Sequence, residues 1–236
     1  MNYPSFTERA SCFIGIKWFI AISDGKFIYN PKYLTISEKR LIQKQKQVSR
    51  KKKGSNNRKE AIIKLAKQHK HISNQRNDFQ HKESRNIVNN YDAIGAEKLN
   101  IKNMVRNHNL AKSINDAGWG MFLSYVEYKA EEAGKLFMKV DSRYTSMTCS
   151  TPGCGYINSD LKLSDRERVC PNCHTHHDRD INSAINVDCR MLEKIRQELP
   201  EYTLVETGSV DDIVSSNYVL KSTPPMKQEA LSVKEG

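Results

Sequence analysis

The first hydrophobic signature in the chain is Cys12 to Ala21, CFIGIKWFIA, a near-continuous apolar run interrupted by Lys17. A run of that length predicts a buried strand. Ser23-Asp24-Gly25 supplies turn chemistry, and Lys26 to Tyr29 predicts a second strand, so a hairpin ended by Asn30-Pro31 is expected. From about Ser37 to Lys53 the pattern is helical and very basic, and a polar break follows at Lys53-Gly54-Ser55-Asn56-Asn57. A second, long helix is predicted from about Arg58 to Asn89. Its stripe, Ile62, Leu65, His69, Ile72, Arg76, Phe79, Glu83 and Ile87, steps by three and four. The polar members of that stripe predict a helical hairpin that is only partly buried.

Tyr91 to Ala96 predicts a short strand ending in Glu97, and Lys98 to His108 a polar loop. Apolar positions from 110 to 132 fall at helical spacing and stop at Gly134. Lys135 to Val140 predicts another strand, and Asp180 to Leu199 a final helix. Beyond Pro200 large apolar residues are few and no period emerges, which predicts a largely disordered tail. The order of elements is that of a mixed α/β fold.

The chain has 236 residues, enough for one large domain or a domain with a small insert. Its mean hydropathy is −0.69. No apolar run approaches the length of a membrane span, and Met1 to Arg9 lacks the apolar core of a signal peptide. The expectation is a cytoplasmic, nucleoid-associated protein with no membrane partner. The net charge of +11 favours a polyanionic partner, and it is unevenly placed. Lys39 to Lys70 holds thirteen Lys/Arg against one acid, Glu60. Such density points to phosphate contact, since each neutralised phosphate releases counterions. Lys44, Lys46, Arg50, Lys51, Lys52, Lys53, Arg58 and Lys59 are the candidate nucleic-acid-binding residues.

Four of the six cysteines fall within 25 residues: Cys149 and Cys154, then Cys170 and Cys173. Two close pairs bring four thiolates into a tetrahedron, which suits a structural zinc with no open position for water. His174, His176 and His177 crowd the second pair. One of them could replace a thiolate, position the site or meet phosphate. Cys12 and Cys189 are expected to be small buried hydrophobes. Glu97 ends a predicted strand and Asp180 begins a predicted helix. Acids so placed can converge on divalent ions. Spacing alone leaves open a surface acid and a residue that favours a helix N-terminus.

NPKYL (30–34), residues 49–82, residues 96–122, VDSRYTSMTCSTPGCGYIN (140–158), LSDRERVCPNC (163–173) and HHDRDINSAINV (176–187) resemble the TnpB/OrfB family over about residues 11–190. These are insertion-sequence-encoded, RNA-guided DNA endonucleases related to type V CRISPR effectors. The resemblance implies an α/β, RNase H-like (RuvC-type) core with a long helical hairpin insertion and an inserted zinc ribbon. It places the first part of the core at 1–145, with the hairpin at about 37–89. The ribbon then spans 146–176, the last core helix 177–199 and the tail 200–236.

The resemblance also implies an active site of three acids. Glu97 in AEKLN (96–100) inherits the second role and Asp180 in DRDIN (178–182) the third. The first belongs in a G-I-D-x-G-x-K pattern, where this chain reads FIGIK and Phe13 stands at the acidic position. An aromatic ring cannot coordinate a hard cation. The family normally carries a long region before this strand, where this chain has about a dozen residues. The expectation is therefore a transposon-derived, nuclease-defective and shortened nucleic-acid-binding protein. DNA and guide RNA are its expected partners and zinc its structural metal, with Mg only if the catalytic site works. The alternatives are an active Mg-dependent RNA-guided DNA endonuclease and a remnant without function.

Overall fold

The computed structural model describes residues 8–162 and 164–198, together with the backbone of Tyr202–Thr207 and Asn217–Ser222. The apolar run at the start forms two strands rather than one. β1 (Arg9–Ile14) turns at Gly15-Ile16-Lys17 into β2 (Trp18–Ile22), which pairs with it antiparallel. The Gly15 N–H donates back to the Phe19 carbonyl, and a Cβ on Gly15 would press within 3.1 Å of the Trp18 carbonyl oxygen. Apolar residues on both sides of this turn make it invisible to periodicity. β3 (Phe27–Tyr29) continues the meander after the expected turn at Asp24-Gly25.

The helical hairpin follows, as α1 (Tyr33–Ser49) and α2 (Asn56–Asn90). Ser55 caps α2 by accepting the Arg58 N–H. Of the buried residues of α2, only Ala61 lies in its first third, while Ile72, Gln80, Ser84, Ile87 and Val88 lie toward the sheet end. The hairpin is thus only partly buried, as expected, but of the predicted stripe Ile72 and Ile87 alone are buried, while Ile62 and His69 are exposed.

β4 (Ala93–Glu97) runs parallel to β1, and β5 (Leu136–Val140) parallel to β4, giving a five-stranded sheet of order β3-β2-β1-β4-β5. Between β4 and β5 lie α3 (Ile101–Met104), α4 (His108–Ala117) and α5 (Trp119–Glu132). The expected single helix over 110–132 is broken at Gly118. There φ of +65° ends α4, and a Cβ would come within 2.9 Å of the Gln80 amide nitrogen.

Two layers of apolar side chains hold the sheet. Cys12, Ile14, Ile20, Ile22, Ile94 and Ala96 pack on one face against Ile87 and Val88 of α2 and Phe122, Val126 and Ala130 of α5. On the other face Ala93, Met138 and Val140 meet Val187, Met191 and Ile195 of α6 (Arg179–Glu198). Two short antiparallel strands, β6 (Glu167–Val169) and β7 (His176–Asp178), lead into α6. Most of the region expected to be a disordered tail lies outside the described residues. Within it, β8 (Tyr202–Thr207) and β9 (Asn217–Ser222) pair antiparallel.

Candidate active site and metal centre

Register places Phe13 and Glu97 side by side. The last registered pair of the parallel β1 and β4 is Cys12 with Ala96, and the next residues along are Phe13 and Glu97. Both belong to the face under α6. Two residues earlier on each strand stand Ser11 and Gly95, and a Cβ on Gly95 would strike the Ser11 side chain and lie 3.1 Å from the Met191 sulfur. Only glycine lets α6 lie this close to β4.

Glu97 is 3% exposed and Asp180 is 4% exposed. Burial pushes the Glu97 carboxyl up to about 7, and the Asp180 carboxylate adds to the rise. The Thr145 hydroxyl, donating to Oε1 at 2.7 Å, and the charge of Arg190 oppose it. Burial likewise raises Asp180, against the opposing charges of Arg166, Arg179 and Lys17. Arg166, from the loop before β6, holds its guanidinium 3.6 Å from Asp180. Asp178 accepts the N–H groups of Asp180 and Ile181 and so fixes the first turn of α6. The fold thus brings Asp180, on the first turn of α6, within electrostatic reach of Glu97 at the end of β4. The position beside Glu97 is filled by a half-buried phenyl ring. Phosphodiester chemistry with paired ions needs several oxygen ligands. Glu97, Asp180 and Phe13 do not make that set, so no metal-dependent step is assigned to it.

The four cysteines converge. The Sγ atoms of Cys149, Cys154, Cys170 and Cys173 all lie within 4.8 Å of one another. Cys149 and Cys173 are 3.6 Å apart, and Cys154 and Cys170 3.7 Å. Thiolates around a tetrahedral zinc with bonds of about 2.3 Å stand about 3.8 Å apart, so the donor set and its size suit that ion. The Thr175 hydroxyl, 3.3 Å from Cys173 Sγ, and the Thr175 backbone hold the Cys173 thiol down to about 5.

The structure separates the three histidines. His177 is buried with Nε2 3.1 Å from Cys149 Sγ, a hydrogen bond that orients the sulfur. His176 faces Glu167, and His174 takes a left-handed backbone turn at φ 57°. Cys12 is buried, and burial raises its thiol to about 12. Cys189 does not follow the expectation. It is exposed on α6, because neighbouring positions of that helix supply the inward face.

The basic candidates form a separate surface. Lys46, Arg50, Lys51, Lys52, Lys53 and Lys59 are exposed at or near the tip of the hairpin, and Lys44 and Arg58 are half-buried. Among the described residues, no Lys or Arg from 39 to 70 lies within ion-pair distance of an acid. Sequence reasoning missed Arg166, whose approach to Asp180 depends on the ribbon fold. It also missed an aromatic group on β2 and β3, which looked like ordinary strand residues.

A family model described as "Probable transposase" (OrfB_IS605) matches residues 4–108, and one described as "Cas12f1-like, TNB domain" matches residues 119–187. A protein of Streptomyces pristinaespiralis named "Putative RNA-guided DNA endonuclease" is 37% identical over 185 residues, covering 78% of this chain and 45% of its own length. The chain belongs to the TnpB/OrfB family. Another relative of this TnpB/OrfB chain, "Putative RNA-guided DNA endonuclease InsQ" of Escherichia coli (strain K12), is 28% identical over 188 residues, or 73% of this chain and 46% of that one. Among solved structures, that titled "Cryo-EM structure of the Cas12f1-sgRNA-target DNA complex" superposes with a TM-score of 0.52 at 18% identity. The match covers 77% of this chain and 49% of that one, and it establishes likeness of fold. This TnpB/OrfB chain thus spans just under half the length of these two relatives. Among the described residues, no helix is long and apolar enough to cross a membrane.

Proposed function

We propose that this chain is a nucleic-acid-binding TnpB/OrfB protein whose nuclease centre is defective, built on an RNase H-like core with a zinc ribbon before its last helix. The observation that carries the reading is Phe13 beside Glu97. The sheet order, the parallel β1–β4–β5 set and α6 across it support an RNase H-like core. Two of the family's three acidic positions are filled, by Glu97 and Asp180. The third offers a ring with no lone pairs for a hard cation. Binding relies on the unpaired cations of the hairpin, which meet phosphate without regard to sequence. DNA is the expected partner, with guide RNA a second, in keeping with the names of the relatives. Cys149, Cys154, Cys170 and Cys173 would hold a structural zinc, which would brace the loop that carries Arg166 and the start of α6.

The test uses the purified chain with end-labelled DNA in Mg²⁺, with and without RNA from the same cells. The unaltered chain is expected to bind without cutting. Phe13→Asp should gain cutting that disappears again in Phe13→Asp/Glu97→Gln. Mg²⁺-dependent cutting by the unaltered chain that is lost in Glu97→Gln would overturn the reading.

A further inference from the structure

Three aromatic side chains gather on the first two turns of the sheet meander. Trp18 pairs with Tyr29 across β2 and β3, and Phe27 lies two residues from Tyr29 on the same side of β3. The Trp18 and Phe27 ring centroids are 4.8 Å apart at 33°. Tyr29 meets Trp18 edge-on at 5.3 Å and 83°. These rings are not core. Tyr29 is 72% exposed and Phe27 37%, and Trp18 is half-buried. A cation completes the group, because the Lys17 ammonium lies 5.3 Å from the Trp18 ring centroid and is itself exposed.

Register fixes which face of the sheet carries these rings. Phe13 pairs with Ala21 and Ala21 with Phe27, and cross-strand partners share a face. Ser11, Phe13, Gly95 and Glu97 belong to that same face, the one on which α6 lies. The aromatic group therefore sits on the uncovered part of the sheet surface that leads to Glu97 and the start of α6. Rings set on a pleated surface with a cation at the margin have the composition of a stacking surface for bases.

We propose that Trp18, Phe27 and Tyr29 form a platform on which bases of a single-stranded nucleic acid stack beside the Glu97–Asp180 site, with Lys17 meeting the strand's phosphates. The proposal deepens the nucleic-acid-binding reading and rests on it. A single strand is the fitting occupant, since unpaired bases offer the ring faces that a duplex hides. The hairpin cations would supply affinity for phosphate in general. The platform would supply affinity for bases and set where the strand lies.

The chain contains two tryptophans, and Trp119 is only 2% exposed, so Trp18 is the residue whose emission a stacked base would quench. The probes are oligothymidylate of about 12 nucleotides and an abasic oligomer with the same number of phosphates. Oligothymidylate is expected to quench the emission and to bind about ten-fold more tightly than the abasic strand. Tyr29→Ala should lose most of that preference while keeping its affinity for the abasic strand. Because Tyr29 is exposed, the variant should also keep its melting temperature. Trp18→Phe should retain the preference and lose the quench. Equal affinity for both oligomers with no quench would overturn the platform while leaving phosphate binding intact. Failure to bind either oligomer would overturn the binding reading as well. Self-association that is lost in Tyr29→Ala, without any preference for bases, would make the patch a protein contact and also overturn the proposal.

Discussion

Glu97 shows how much a single side chain feels its surroundings. It closes β4 beneath α6, where water is excluded and where the Thr145 hydroxyl is its hydrogen-bond donor. Burial lifts its carboxyl to about 7 from an ordinary value of 4.5. Below about pH 4.5 the group is protonated in both folded and unfolded chains. Between 4.5 and 7 the unfolded chain releases the proton and the folded one keeps it, so stability falls as pH rises through that window. Above the folded value the loss is complete. The span corresponds to a decline on the order of 3 kcal/mol. In metal-free buffer, urea melts of the unaltered chain should therefore lose stability relative to Glu97→Gln from pH 4.5 to 7, and run parallel above it. A constant difference between the two across that range would show that Glu97 is solvated rather than buried.

At the scale of elements, the helical hairpin divides its labour along its length. Toward the sheet, Ile72, Gln80, Ser84 and Ile87 of α2 are buried, and Gln80 donates to the Ala117 carbonyl at 2.7 Å. Toward the tip the helices carry Lys and Arg with no acidic partners among the described residues. Replacing Lys51, Lys52 and Lys53 together with Ala should weaken duplex binding. It should also flatten the dependence of log affinity on log salt by about 2–3, since each phosphate contact contributes about 0.9. These side chains are exposed, so thermal stability should not change. An unaltered salt slope would place the phosphate contacts elsewhere. Elements also show where pattern reading stops. The polar-break rule located the hairpin tip, because Gly54 and Ser55 interrupt two basic runs. It failed at Gly15-Ile16-Lys17, where a turn joins two apolar strands, and at Gly118, where α4 passes into α5 with apolar positions on both sides.

For the whole molecule, the cysteine module and the last helix form one mechanical unit. Asn182 accepts the Ser150 N–H at 3.0 Å and donates to the Thr148 carbonyl at 2.7 Å. Asn186 donates to the Thr145 and Thr148 carbonyls, and Arg168 to those of Met147 and Thr148. Removing zinc should therefore reach beyond the ribbon. A strong chelator should release a single zinc per chain and expose the four thiols. It should also speed amide exchange in residues 146–178 and in the first turns of α6, while β1 and β4 stay protected. Purified chain with no metal and four thiols reactive from the start would contradict the zinc assignment. Exchange confined to the ribbon would show that α6 keeps its own N-terminus in place.

What the sequence by itself determined is whatever depends on near neighbours. Cysteine pairs at short spacing predict a cluster because a few residues of chain can only turn back on themselves. Glu97 and Asp180 stood out through the short motifs AEKLN and DRDIN that resemble the family's, since spacing alone left a surface acid and a helix-start residue open, and the density of Lys and Arg is readable without any fold. Tertiary structure decided everything that joins distant segments. Phe13, Glu97 and Asp180 come together only because β1 and β4 pair in parallel and α6 returns across them. Arg166 faces Asp180 only because the ribbon folds back on α6, and His177 is set apart from its neighbours by one sulfur at 3.1 Å. The aromatic surface exists only in the register of β2 with β3. Local pattern carries spacing and polarity, whereas pairing register and burial are properties of the assembled sheet, and these decide which side chains meet.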